Sequence, residues 1–431
     1  MSTTELGPVF FLATVVILVT CRVVARALRA LGQPPVVGEM VAGVVLGPSV
    51  LGLLAPGVEE TLFPQELRPV LFVAGQIGLV IFMFQTGYEF RTDRIRAVAR
   101  PAAAVSTAGI LVPLALGMAL TFATHDAVDV YPADIPVGVS ALFVGVTIAI
   151  TAFPMLARII TERGLVGTRF GSLSLASGAL DDVVAWVLLA AVLGMAGDGA
   201  GPFAIAVGGG VGLVAVLAVL VRKGGRMTAL ADRRSDDDLL LITVIVLFIA
   251  AWYTDRIGLY AVFGAFSLGV VFPRSASVDR TVEAVAPISR IVFLPLFFTY
   301  SGLNTDFALL AQPSLLLFAA GCVAVSIVGK LGACWLAARA VGEPPGVALR
   351  VGTLMNARGL MQLIAINIGL AAGIVTPSMF AVLVVVALVT TVMATPLLSL
   401  WDRLDARRAD RAPGPPDPRP LTATGEGAGP R

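Results

Sequence analysis

Apolar runs, each about as long as a bilayer crossing and separated by short polar or glycine- and proline-rich breaks, succeed one another from residue 8 to residue 401. A hydrocarbon core about 30 Å thick needs roughly 17 to 25 such residues per helix. The pattern therefore predicts about thirteen transmembrane spans, numbered 1 to 13 in order, over 8–29, 36–54, 68–90, 101–124, 136–160, 171–196, 203–222, 238–254, 257–273, 287–303, 314–338, 347–372 and 377–401. The expected fold is all-α, a polytopic membrane protein. Span 10 has the shortest apolar centre, Ile291-Val-Phe-Leu-Pro-Leu-Phe-Phe298, and contains Pro295. Span 1 carries its arginines behind it (Arg22, Arg26, Arg29) with only Glu5 in front, the reverse of a cleaved leader, so a retained helix is expected. Beyond Trp401 the chain turns to Arg, Asp, Pro and Gly, too polar to bury a core, and a disordered tail is expected over 403–431.

Composition agrees with the pattern. The 431 residues are 57% hydrophobic and 13% charged, which excludes a soluble globular domain. The net charge of +2 is small and its basic residues are dispersed, so no nucleic-acid partner is expected; the bilayer is the surrounding partner. The basic residues also set the orientation, since Lys and Arg accumulate on the cytoplasmic side. With the N-terminus outside and the C-terminus cytoplasmic, only four of the 30 fall elsewhere than inner loops and tail: Arg68 and Arg256 outside, Lys330 and Arg358 within spans. Cys21, Cys322 and Cys334 lie in apolar segments without metal-ligand spacing, and neither a disulfide framework nor a cofactor is expected.

Polar groups at membrane depth narrow the search for function. Asp181 and Asp182 sit mid-way along the apolar span 6, where each carboxylate costs about 2.5 to 3.5 kcal/mol on insertion scales. Span 5 is interrupted at Thr151-Ala-Phe-Pro154 and span 12 at Asn356-Ala-Arg-Gly359; irregular backbone at this depth is tolerated only inside protein or beside a wet cavity. A weak internal echo pairs Gly43-Val-Val-Leu-Gly47 of span 2 with Gly264-Ala-Phe-Ser-Leu-Gly269 of span 9. A second pairs Phe84-Gln-Thr-Gly-Tyr-Glu-Phe-Arg-Thr-Asp93, after span 3, with Tyr300-Ser-Gly-Leu-Asn-Thr-Asp306, after span 10. An offset of seven spans inverts one copy relative to the other, as in many secondary transporters, and makes spans 5 and 12 partners. At ~1.5 Å per residue from the flanking inner arginines, Asp181, Lys330, Arg358 and Thr151 lie roughly 18, 14, 12 and 11 Å deep. One shared site is expected.

These motifs identify a resemblance. Pro35-Val-Val-Gly-Glu-Met-Val-Ala-Gly-Val-Val-Leu-Gly-Pro48, Ala149-Ile-Thr-Ala-Phe-Pro-Met-Leu-Ala-Arg158, Leu180-Asp-Asp-Val-Val-Ala-Trp186, Leu294-Pro-Leu-Phe-Phe298 with Ser301-Gly-Leu-Asn-Thr-Asp306, and Met355-Asn-Ala-Arg-Gly-Leu-Met361 occur in order. From about Gln33 to Leu400 the chain resembles the cation:proton antiporter-2 family of monovalent cation/proton exchangers. The resemblance implies that Asp182 binds cation and proton in turn, that Asp181 governs stoichiometry, that Lys330 partners Asp181, and that spans 5 and 12 are crossed discontinuous helices. It also implies scaffold helices over 1–98 and 236–308, core helices over 99–200 and 309–402, a linker over 201–235 and a homodimer formed through the scaffold. Two departures stand out: Gln362 replaces a usual Glu, and plant relatives carry Asn where this chain has Asp181.

The residues point to the same chemistry. Na⁺ or K⁺ needs oxygen ligands, available here from Asp182, Asp181 and Thr151, and a proton competing for the same carboxylate gives exchange without a separate proton path. A dyad protease is excluded, because residues i and i+1 on a helix diverge by about 100° and cannot share a proton face to face. A channel or passive carrier, or a sensor built on a transporter fold, remains as an alternative, separated by whether proton flux requires a counter-cation. His125, beside Asp126 in an outer loop, is expected to be a solvated loop residue.

Overall fold

The computed structural model describes residues 3–89, 98–196 and 201–411. Among them every regular element is helical. In chain order the α-helices are α1 (Thr3–Ala30), α2 (Pro35–Leu46), α3 (Pro56–Leu62), α4 (Arg68–Glu89), α5 (Ala99–Thr124), α6 (Val137–Ala149), α7 (Phe153–Glu162), α8 (Arg169–Ala196), α9 (Gly201–Arg222), α10 (Gly224–Ala231), α11 (Asp236–Arg256), α12 (Ala261–Val271), α13 (Ala276–Ile288), α14 (Leu294–Leu303), α15 (Pro313–Ile327), α16 (Ala333–Ala340), α17 (Pro345–Met355), α18 (Leu360–Ala371) and α19 (Pro377–Arg411).

Among the described residues, eight helical stretches are long and apolar enough to cross a membrane, and the α9–α10 pair, bent by 67°, is a ninth if taken as one span. Four shorter apolar helices, beginning at Pro35, Val137, Ala261 and Met361, supply the regions of spans 2, 5, 9 and 12. The expected span 10 differs most. It is a 28-residue stretch from Ala276 to Leu303, with a π-helical turn at Ser289–Phe293 between Pro287 and Pro295. Arg280 and Arg290, expected in a loop, lie on it; Arg280 pairs with Asp236 at 2.8 Å. α19 likewise continues to Arg411, past the expected start of the tail. Residues 412–431, and with them most of that tail, lie outside the described residues, as do Arg91, Arg94 and Arg96.

Helix ends follow local chemistry. Ser235 and Ser275 accept the amides of Asp238 and Val278 and cap α11 and α13, as expected of Ser at an N-cap. Proline stands in the first two positions of α2, α7, α15 and α17, where its missing N–H has no intrahelical partner to lose. Pro154 thus begins a helix rather than kinking one.

The helices gather into two groups. In the first, α1 packs on α2, α2 on α14, α4 on α12 and α14, and α11 on α12. In the second, α5 packs on α6, α8 and α16, α16 on α17, and α15 on α19. Glycines set the closest contacts of the first group. A Cβ on Gly43 would collide with the Phe298 carbonyl and one on Gly302 with the Gly43 carbonyl; a Cβ on Gly87 would collide with the Phe266 carbonyl and one on Gly269 with the Phe84 carbonyl. Backbones therefore touch directly at α2/α14 and α4/α12, the small-residue packing of membrane interiors. An offset of seven spans converts the first crossing into the second: Gly43 and Gly269 make equivalent contacts, as do Gly302 and Gly87, whereas Gly264 of the sequence echo packs against the Ala250 carbonyl of α11.

Candidate functional site

The second group contains two helices that stop inside the bundle. α6 ends at Ala149 and Ile150 turns extended (φ −59°, ψ 131°); α17 ends at Met355, and the chain re-enters helix only after Gly359 at φ 140°, ψ −121°. That conformation is open essentially to glycine alone, and a Cβ there would also press on Met155. The breaks meet: Ala152 N–H donates to the Ala357 carbonyl at 3.3 Å, and Arg358 Nη1 donates to the Thr147 carbonyl at 3.0 Å. Backbone groups orphaned by stopping a helix in an apolar medium are thus partly satisfied by the other break.

α8 runs unbroken past this crossing. Gly178, one turn before the acids, brings α8 against Leu156, Phe153 and Thr151, which delivers Asp181 and Asp182 to the break. Asp181 is fully buried, and Lys330 Nζ donates to its Oδ2 at 2.6 Å. The Thr151 hydroxyl lies 2.7 Å from the same oxygen and 3.1 Å from the Met355 carbonyl; its single proton goes to the charged acceptor at the shorter distance. Lys330 also donates to the carbonyl of Ala149 at 2.7 Å, so the ammonium closes the exposed C-terminus of α6 as well as pairing the acid. The lysine sits in a π-helical turn, Val328–Gly332, between α15 and α16, a one-residue insertion that re-aims a side chain. Gly109 of α5 leaves the space it occupies: a Cβ there would lie 3.5 Å from Nζ and 2.6 Å from Cys334 Sγ.

Asp182 is held differently. It is 2% exposed, yet neither carboxylate oxygen makes a hydrogen bond of regular geometry; the backbone N–H of Phe153, at the start of α7, interacts with it more loosely. An unpaired buried carboxylate is expensive. A proton or a cation at that position would remove the expense, and the two would require the same lone pairs. Arg358, fully buried, has Nε and Nη2 without partners, and both amide atoms of Asn356 are likewise unmatched. The structure therefore joins Asp181, Thr151 and Lys330 by direct bonds and places Asn356, Arg358 and Gly359 at the facing break without bonding their side chains to the acids. Gln362 makes only a 3.5 Å contact from Nε2 to the Leu383 carbonyl. The Ala149 carbonyl and the pair Asn367–Ser301, which links α18 to α14 at 3.0 Å, were not singled out from the sequence. Asn367 is a single neutral amide in an apolar run, a faint signal, and a backbone carbonyl leaves no trace in the sequence. Cys21, Cys322 and Cys334 are buried and free, and His125 faces Tyr131 with ring centroids 5.1 Å apart.

Comparison with known proteins agrees with this architecture. The chain is 34% identical over 399 residues to the Na⁺/H⁺ antiporter NhaS4 of Synechocystis sp., covering 89% of this chain and 95% of the relative. It is 34% identical over 399 residues to cation/H⁺ antiporter 17 of Arabidopsis thaliana, covering 91% of this chain and 48% of the relative, so it spans about half the length of that plant protein. The solved sodium proton antiporter MjNhaP1 of Methanocaldococcus jannaschii superimposes with a TM-score of 0.67 over 95% of this chain and 99% of that one; at 15% identity the likeness is one of fold. The family model for the transmembrane sodium/hydrogen exchanger matches residues 13–401, and the chain belongs to that family of multi-pass membrane antiporters.

Proposed function

We propose that the protein is a secondary active antiporter that exchanges a monovalent cation, Na⁺ or K⁺, for protons across the plasma membrane by alternating access at Asp181 and Asp182. The observation that carries this reading is the contrast between the acids. Asp181 is paired with Lys330 and accepts from Thr151, while Asp182 beside it is buried with no side-chain partner and only the looser contact of the Phe153 N–H. In this reading Asp182 is the exchanged site, loaded by cation on one face and by proton on the other, and Thr151 or backbone oxygens at the crossing complete the ion's shell. No cofactor is involved. α5 to α8 and α15 to α19 move as the core, and the glycine-crossed group with α1 is the scaffold and the homodimer surface. The N-terminus lies outside and the C-terminus in the cytoplasm, as the arginine distribution favours. Everted membrane vesicles holding an acidic interior should lose their pH gradient on addition of Na⁺ or K⁺. Dissipation that is equally fast without either ion would replace the antiporter with a channel or passive carrier, and the absence of any flux would favour a sensor.

A further inference from the structure

A cleft of about 660 Å³ opens between the first helix group and α18, lined among others by Trp252, Tyr260, Tyr300, Gln76, Asp255 and Asn367. It lies towards the start of α4 and the ends of α11, α14 and α18, the face that the arginine distribution puts outside. Most of its wall is aromatic and aliphatic, and of its polar residues Gln76, Asp255 and Asn367 the last two bear on a cation. Asn367 is only 9% exposed. Its Nδ2 donates to the Leu363 carbonyl at 2.8 Å and to Ser301 Oγ at 3.0 Å. A carbonyl accepts only, so the amide orientation is fixed and Oδ1 is the atom left buried without a partner. An unmatched buried acceptor costs about 1–3 kcal/mol, which a cation or its hydration water removes. Asp255, in the last turn of α11, adds a carboxylate at the same cleft, where low-dielectric walls focus its field on arriving cations.

This cleft is separate from the acids of α8. Trp186, one turn beyond Asp182, is 4% exposed, and its ring lies 5.7 Å from that of Tyr260 at 37°. Tyr260 holds φ 63°, a conformation that costs a residue other than glycine about 1–3 kcal/mol, and it bridges to α8 from the opposite helix group. Trp186 also lines, with Ile150, Met361 and Ala365, a void of only about 10 Å³, at the lower limit for one water. We propose that Asn367 and Asp255 form an outer waiting site for the partly hydrated monovalent cation, upstream of Asp182 and parted from it by the Trp186–Tyr260 pair. The identity of the ion rests on the antiporter reading; the site itself does not.

The test uses Ile368→Cys, which lines the cleft beside Asn367, in the full chain carrying Asp182→Asn. The native cysteines are at most 3% exposed, so the chain without Ile368→Cys is the background for reaction with neutral methyl methanethiosulfonate. Na⁺ or K⁺ should slow modification severalfold relative to equal choline. Asn367→Ala should abolish that protection, Asp255→Asn should weaken it, and Asn367→Asp, which keeps an oxygen, should retain or strengthen it. A modification rate indifferent to the alkali ions, or protection that survives Asn367→Ala, overturns the waiting site. Flux through the Ile368→Cys chain with Asp182 intact keeps the two readings apart: exchange without protection sinks only the waiting site, and protection without exchange sinks only the antiporter.

Discussion

Asp181 and Asp182 are neighbours in sequence with opposite surroundings, and substitutions should separate them. Asp182→Asn removes an ionisable group without changing its size, so we expect exchange to vanish while the protein inserts and folds; cation-dependent proton movement in vesicles of that variant would refute its assigned role. Asp181→Asn should keep transport and lose dependence on membrane voltage. Lys330→Ala strands a fully buried carboxylate, and breaking such pairs commonly costs about 3–5 kcal/mol. Adding Asp181→Asn to it removes both charges and should restore most of the loss. A thermal-stability cycle in detergent measures this, since additive losses would mean that the pair is not coupled. The acids, Lys330 and Arg358 were legible in the sequence because charge at membrane depth is expensive and rare. Asn367 was not read, because one neutral amide barely alters an apolar run. The second contact of Lys330, to the Ala149 carbonyl, was unreadable, because it depends on where a distant helix happens to stop.

Breaks and turns are legible only where they leave a residue signature. Asn356-Ala-Arg-Gly359 announced its interruption through polarity and glycine, and Gly359 at φ 140° is what makes the break possible. Gly359→Ala should cost about 1–3 kcal/mol for the backbone alone and displace Met155. We expect a lower melting temperature in detergent and flux reduced well beyond what the remaining folded fraction explains; an unchanged melting temperature would show that the break tolerates a Cβ. At Thr151-Ala-Phe-Pro154 the sequence located the interruption, and the chain leaves helix at Ile150, before the proline, and restarts at Phe153. The π-helical turns at Ser289–Phe293 and Val328–Gly332 carry no comparable signal, since inserting one residue into a helix leaves its apolar pattern nearly unchanged. For the same reason the long helix ending at Leu303 looked short from its apolar centre alone.

Across the whole molecule, the helical class and the meeting of two broken helices followed from run lengths and the seven-span echo, while the packing of the groups required contacts that no single segment specifies. The glycine crossings of α2 with α14 and α4 with α12 have a mechanical consequence. Backbones in direct contact have no side chains between them to yield, so this half of the molecule should behave as one stiff body. If the proposed exchange moves the other half against it, the surrounding acyl chains would have to stretch or compress to follow. Mismatch of this kind costs fractions of a kcal/mol per Å, enough to shape a barrier without unfolding anything. Turnover in vesicles made from phosphatidylcholines of graded chain length should therefore peak at an intermediate thickness, with the melting temperature nearly constant across the series. A flat turnover profile would mean that the lipid does not bear the motion.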